Sequence, residues 1–339
     1  MARLGTNPSR GKTLDFSPPR VTVAVLVYEP NRAGYFQHRL EVTKLTLNSI
    51  LQNTEKPFEL LVFDNGSCEE MVAHLKALQA QGKIDTLVLS KENIGKLNAL
   101  WRIGQLAQGE VIAYSDDDVY HLPGWLPKHL EILDTYPNVG AVTGFYIKQR
   151  VAMSSDKTLA WVAQEESQHN LSVQRGQLIP EKWEEEYMDN SGRSLERYRG
   201  EVEGLEDVVV SYRGVKAWVS AHHFQVLLPK KVLLEVLSEM LEEGWSDLLM
   251  GRMVELDDRM DAKGYLRLTT WEQTMRLLGN TIDDEVKALA ARDGIETTSA
   301  LPEGEPVRKG GFWANPHVRN LIQGIINKLY NKLHQERRP

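Results

Sequence analysis

Residues 21–27, Val-Thr-Val-Ala-Val-Leu-Val, are apolar or β-branched throughout, the pattern of a strand covered on both faces in a parallel sheet. Apolar positions then recur at helical spacing over residues 40–52, at Leu40, Thr43, Leu47, Ile50 and Leu51. Pro57 separates them from a second buried run at 58–63. The alternation continues. Asp64-Asn65-Gly66-Ser67 reads as a turn, residues 71–81 as a helix striped by Met71, Leu75 and Leu78, and residues 86–89 as a short strand. Asn93-Ile94-Gly95-Lys96 opens a helix that Gly109 closes before the strand at 110–114. This βαβαβαβ order predicts an α/β fold, Rossmann-like, with a mostly parallel central sheet flanked by helices and ligands at the carboxyl ends of the strands.

Farther along, the pattern predicts a strand at 139–146, a hairpin of 208–212 and 215–219 around Arg213-Gly214, helices at 230–241 and 246–263, and a strand at 265–269. Residues 164–206, polar and rich in Glu, Arg, Gln and Trp, yield no readable element. The domain reading is a disordered tail at 1–19, one domain at 20–290 and a linker at 291–312. The domain divides into a nucleotide-binding half at 20–120 and an acceptor and catalytic half at 121–290. A C-terminal helical extension follows at 313–339, where Val318, Leu321, Ile322, Ile325, Leu329 and Leu333 form an apolar stripe beside a basic face. Homodimerisation, docking on the same chain and peripheral membrane contact are the roles open to such a helix. The alternating spacings of four and three between 318, 322, 325 and 329 make a dimer seam the expectation.

At 339 residues and 42% hydrophobic content the chain can bury a full core, and its formal net charge of −7 argues against a nucleic-acid partner. A single cysteine, Cys68, excludes an internal disulfide framework, and no Cys/His spacing resembles a zinc site. No secretory signal and no spanning apolar run is read, so the expected location is cytoplasmic, at most peripheral to the inner face of the membrane.

The strand at 110–114 runs into Asp116-Asp117-Asp118. Three adjacent carboxylates repel one another unless a cation joins them. A hard divalent ion takes one or two carboxylates and completes its shell with water and phosphate oxygens, so the triplet suggests a metal–phosphate site, with a solvated acidic turn as the alternative. The first strand leads into Tyr28-Glu29-Pro30-Asn31 rather than G-x-G-x-x-G, and no phosphate-binding G-x-x-x-x-G-K-[ST] loop is present. Asp64 at a strand end can accept hydrogen bonds from a nucleobase or ribose, and Gly95-Lys96 at a helix start can offer amides and a cation to a phosphate.

Three blocks in order, Val62-Phe63-Asp64-Asn65-Gly66-Ser67, Asn93-Ile94-Gly95-Lys96-Leu97-Asn98-Ala99 and Ser115-Asp116-Asp117-Asp118, resemble the family 2 glycosyltransferases of GT-A fold, over residues 20–280. The resemblance implies that Asp64 reads the nucleoside base. It also implies that Tyr28, Glu29, Asn93, Gly95, Lys96, Asp116 and Asp117 line the nucleotide, and that Asp118 with Asp116 binds Mn²⁺ or Mg²⁺. The implied reaction moves a sugar from a nucleoside diphosphate sugar, with a uridine nucleotide expected, to a hydroxyl acceptor, inverting with an Asp base. Asp257 or Asp258, before Arg259 and Gly264-Tyr265, is the expected base, although the spacing departs from the family's, and Asp247 is a further candidate. The family's His-x-Gly-Asn is here Leu277-Leu278-Gly279-Asn280, without the histidine, so Arg276 becomes a candidate for reaching the diphosphate. Trp218, His222 and His223 are the candidate sugar or acceptor contacts, with Trp245. A nucleotidyltransferase and a non-catalytic sugar-nucleotide-binding protein remain as alternatives.

Overall fold

The structure, a computed structural model, describes residues 5–297 except 193, 243 and 251. The helix expected at 313–339, and the dimer or membrane contact expected of it, lie outside these residues. Strand and helix alternate through β1 (Val21–Val27), α1 (Arg39–Asn53), β2 (Glu59–Asp64), α2 (Glu69–Ala80), β3 (Thr86–Leu89), α3 (Lys96–Leu106) and β4 (Val111–Asp116). Next come β5 (Val119–His121), α4 (Trp125–Thr135), β6 (Val139–Thr143), α5 (Asp156–Ser167), β7 (Leu171–Gly176), α6 (Glu181–Ser191) and α7 (Leu195–Glu201). The hairpin β8 (Asp207–Tyr212) and β9 (Val215–Val219) leads to β10 (Gln225–Pro229), α8 (Lys230–Met240), α9 (Met253–Ala262), β11 (Leu266–Thr270), β12 (Met275–Leu277) and α10 (Asp284–Arg292).

Ten strands form one sheet in the order β3-β2-β1-β4-β10-β6-β11-β9-β8-β7. The first four are parallel, in the register Val27↔Asp64 and Leu26↔Asp116. β10 inserts antiparallel between β4 and β6, β11 pairs parallel with β6, and β9, β8 and β7 extend the sheet antiparallel. The α/β class with helix-flanked central sheet therefore holds, with a mixed second half. Because side chains alternate across a strand, β1 and β2 feed two cores. Val23, Val25, Leu60 and Val62 pack with Leu47 and Ile50 of α1 and Met71 and Leu75 of α2, whereas Ala24, Leu26, Leu61 and Phe63 pack with α3, α8 and α9.

The polar stretch that resisted reading folds as β7, α6 and α7. Asp207, fully buried, ties it to the sheet: its carboxylate accepts from Leu178 N at 2.7 Å, Ile179 N at 2.9 Å and Tyr146 OH at 2.9 Å, with Lys148 Nζ at 3.3 Å. The helix expected from 246 begins only at Met253. Residues 244–250 instead lie against the start of α3: Lys96 N donates to Leu249 O at 2.7 Å, Asn98 Nδ2 to Ser246 O at 3.0 Å, and Ser246 N to Asn98 Oδ1 at 3.2 Å. Partners on α3 hold these residues in a non-helical path. Among the described residues no helix is long and apolar enough to cross a membrane.

Candidate active site

Three adjacent parallel strands, β2, β1 and β4, end along one edge, and their registers bring Asp64, Glu29 and the Asp116–118 triplet together there. Asp64 is buried; one oxygen accepts from Ser67 N at 3.3 Å, while Oδ1 has no hydrogen-bond partner among the described residues. Burial pushes this carboxyl above its ordinary value, against the hydrogen bonds from Ser67. Glu29 is also fully buried: it lies 3.4 Å from Arg32, accepts from the Cys68 thiol at 3.7 Å, and keeps Oε2 without a partner among the described residues. Burial pushes Glu29 up to about 7, with Arg32 pulling the other way. Tyr28 contributes a backbone N–H, which lies 3.4 Å from Asp117 Oδ2.

The turn after β2 is shaped by glycine. Gly66 has φ +87°, and a Cβ there would sit 2.8 Å from Asn93 N. That close approach lets Asn65 Nδ2 donate to Asn93 Oδ1 at 2.9 Å and Ile94 N to Asn65 Oδ1 at 3.0 Å, locking the first two blocks together. Gly95, at φ +82°, then starts α3. Neither phosphate handle expected of Gly95-Lys96 stands open: the Lys96 amide donates to Leu249 O, and its ammonium holds both Asp116 oxygens, at 2.7 and 2.8 Å.

Each member of the triplet has a distinct environment. Asp116 also accepts from Tyr114 OH at 2.5 Å. Asp117 is buried and bonded to Arg39, with Thr43 Oγ1 donating at 3.2 Å and Thr46 Oγ1 reaching its carbonyl at 3.0 Å, so it anchors the turn. Asp118 accepts from Arg39 Nη1 at 3.0 Å, and its carbonyl accepts from Leu278 N at 2.7 Å. Burial and the like charges of Asp116 and Asp117 push Asp118 up to about 6, against the pull of Arg39. Arg39, placed by the start of α1, also donates to Asn280 at 3.3 Å. Sequence reasoning missed Arg39. The signal was there, since a helix that follows a strand in such a sheet starts on the ligand-binding edge.

Three carboxylates thus meet two cations, Arg39 and Lys96. The residual negative charge and the raised Asp118 suit a divalent ion. Among the described residues no cluster of three or more His, Cys, Asp or Glu side chains surrounds one point. A cleft of about 430 Å³ opens on Asp118, lined also by Tyr35, Asn190, Leu277 and Asn280. Its wall at 189–192 comes from the stretch that the sequence left unread.

Two expected sugar contacts are corrected. Trp218 is 1% exposed, stacked between Tyr146 (centroids 4.4 Å apart) and Trp271 (4.9 Å), with Nε1 donating to Trp271 O at 3.0 Å, so it is a core residue. His222 is buried too, with Nε2 2.9 Å from Phe145 O and its ring stacked on Phe224. His223, in the bend between β9 and β10, is half-buried. Its Nδ1 lies 2.8 Å from Asp257 Oδ2. Asp257 itself is buried on α9, with Oδ1 2.7 Å from Arg267 and Oδ2 3.8 Å from Arg150. Asp258 is exposed and bonded to Ser154, and Asp247 is exposed in the segment over α3. Trp245, half-exposed, lies under the Arg102 guanidinium at 4.9 Å. Arg276 pairs with Glu285 at 3.1 Å and Asp283 at 3.6 Å rather than turning to the triplet.

Residues 36–183 match the family described as Glycosyl transferase family 2. A glucosyl-dolichyl phosphate glucuronosyltransferase of Haloferax volcanii is 30% identical over 135 residues, 39% of this chain and 40% of its own length. The chain therefore spans less than half of that relative. Among solved structures, a mannosyltransferase from Pyrobaculum calidifontis in complex with GDP-Man and Mn²⁺ is 25% identical, covers 43% of this chain and 44% of its own, and has a TM-score of 0.33. S. aureus TarS, residues 1–349, is 11% identical over 83% of this chain and 67% of its own, with a TM-score of 0.43.

Proposed function

We propose that this chain, whose residues 36–183 belong to glycosyl transferase family 2, moves a sugar from a nucleoside diphosphate donor to a hydroxyl acceptor. The observation that carries the reading is the row of acidic groups at the ends of β2, β1 and β4, with a buried, unpartnered acceptor on Asp64 beside the charged triplet. Asp64 Oδ1 would accept a nucleobase N–H, and Asp116 would face the ribose. The resemblance of the three blocks favours a uridine nucleotide. Asp116 and Asp118 would hold Mn²⁺ or Mg²⁺, and the bound ion would supply Lewis-acid stabilisation of the departing diphosphate. Donor binding frees the Lys96 amide only if residues 244–250 yield it. The relative's name makes a lipid-linked sugar phosphate a sensible acceptor to include in a screen.

Calorimetry of the full chain with UDP-glucose, UDP-N-acetylglucosamine and GDP-mannose, with and without MnCl₂, tests the reading. Asp118→Ala is expected to remove the Mn²⁺-dependent part of donor binding and turnover together; unchanged turnover in that variant would sink the metal role, and no binding or turnover of any donor would sink the transferase. Self-association through 313–339 belongs to the same proposal, read by light scattering of the full chain beside one ending at Gly311.

A further inference from the structure

We infer, resting on the transferase reading above, that His223 is the base that takes the acceptor's proton and that Asp257 is its positioning partner. A carboxylate only accepts hydrogen bonds, so the 2.8 Å contact places the proton of a neutral imidazole on Nδ1 and leaves the lone pair on Nε2. Nε2 has no partner among the described residues. The backbone beside His223 meets the triplet: Asp116 N donates to the carbonyl of the adjacent Phe224 at 2.8 Å.

Asp257 suits the supporting role better than the proton-accepting one. Burial opposes its ionisation, but Arg267, His223 and Arg150 outweigh burial and hold it below the usual carboxylate range. Both of its oxygens are engaged, by His223 and by Arg267, which is itself anchored to Ala221 O at 2.7 Å and Ser154 O at 2.5 Å. A carboxylate so held is weakly basic and immobile, as an orienting group should be. Arg267 from β11 and Arg150 flank the same carboxylate, at 2.7 and 3.8 Å, and His222 is the neighbouring residue.

In the transfer step the acceptor O–H bond breaks and its proton passes to Nε2. The oxygen's electron pair forms the new bond to the anomeric carbon. The anomeric C–O bond to the diphosphate breaks, its electrons leaving with the nucleoside diphosphate. The imidazolium, stabilised by Asp257, then returns the proton to solvent.

Release of nucleoside diphosphate from UDP-glucose, UDP-N-acetylglucosamine and GDP-mannose by the full chain with MnCl₂, water serving as acceptor, is the measurement. His223→Ala is expected to lower kcat on the order of 10²–10⁴-fold, as loss of a general base does, with donor KM within about twofold, and added imidazole is expected to restore part of the rate. Asp257→Asn is expected to lower kcat less, with donor KM again within about twofold, because the ring loses the acceptor that orients it. Should Asp257→Asn fail to fold, the His223→Ala rescue decides alone. Wild-type kcat in His223→Ala, or a raised KM with no response to imidazole, would overturn the assignment and leave the transferase standing. A wild-type chain that turns over no donor would overturn both.

Discussion

Arg39 Nη1 donates to Asp118 at 3.0 Å while the other terminal nitrogen of the same guanidinium holds Asp117, so one cation from α1 fixes two neighbouring members of the triplet. Asp117 is 3% exposed. Removing the cation strands a buried carboxylate, and Arg39→Met is expected to cost about 3–5 kcal/mol of stability, measured by urea unfolding. A loss under about 1 kcal/mol, the range of surface pairs, would show that the triplet does not need this clamp.

Trp218 is expected to matter for stability and not for the donor. Trp218→Ala empties a space between two stacked rings and should cost about 3–5 kcal/mol. Donor affinity by calorimetry should stay within about twofold at a temperature where the variant is folded, because the indole is enclosed. An affinity loss of tenfold or more would return Trp218 to the binding surface.

Glu29 gives the chain a pH signature. The folded chain keeps this carboxyl protonated up to about 7, while the unfolded chain releases the proton near the ordinary glutamate value. Between those two values the folded state binds more protons than the unfolded state, so this group's contribution to stability falls as pH rises and then levels off above 7. Glu29→Gln removes the ionisation, and its melting temperature should exceed that of the wild type at pH 8 but not at pH 4. Equal differences at both pH values would refute the assignment.

Residues 244–250 are held on α3 by the Lys96 amide and by two bonds to Asn98. Asn98→Ala deletes two of the three bonds, weakening the contact by roughly 1–3 kcal/mol. Chymotrypsin cleavage between Trp245 and Met250 should quicken several-fold. UDP with MnCl₂ should also bind more tightly, since less of the population occupies the Lys96 amide. Slower cleavage, or weaker UDP binding, would show that this segment supports the site rather than competing for it.

What the sequence disclosed follows from where the physics is local. β1 and β3 have the bounds expected, Val21–Val27 and Thr86–Leu89, and the hairpin of β8 and β9 is offset by one residue, because a strand's apolar pattern and its turn are written in adjacent residues. β10 escaped notice: five residues that begin with Gln225 and end at Pro229 look like a loop, and only burial between β4 and β6 makes them a strand. Leu248, Leu249 and Met250 supplied helical spacing without a helical partner, since the acceptors that fix them as a non-helical segment serve donors some 150 residues earlier. Asp64 and the triplet were legible because strand ends mark the edge. The contact of His223 with Asp257 was not, as 34 residues and two intervening elements separate them.

β10 runs against its neighbour β4, so the residues that precede it, 222–224, arrive at the edge where β4 finishes. The edge that carries the triplet is therefore met by outgoing chain from β4 and by incoming chain to β10, from regions about a hundred residues apart in sequence. Substitutions or insertions just before Gln225 can reshape that side of the edge while the β4–β10 ladder from Gln225 onward stays intact. Under the proposed function, acceptor preference would then drift in a lineage, or be reprogrammed in the laboratory, independently of the carboxylates proposed for the nucleotide.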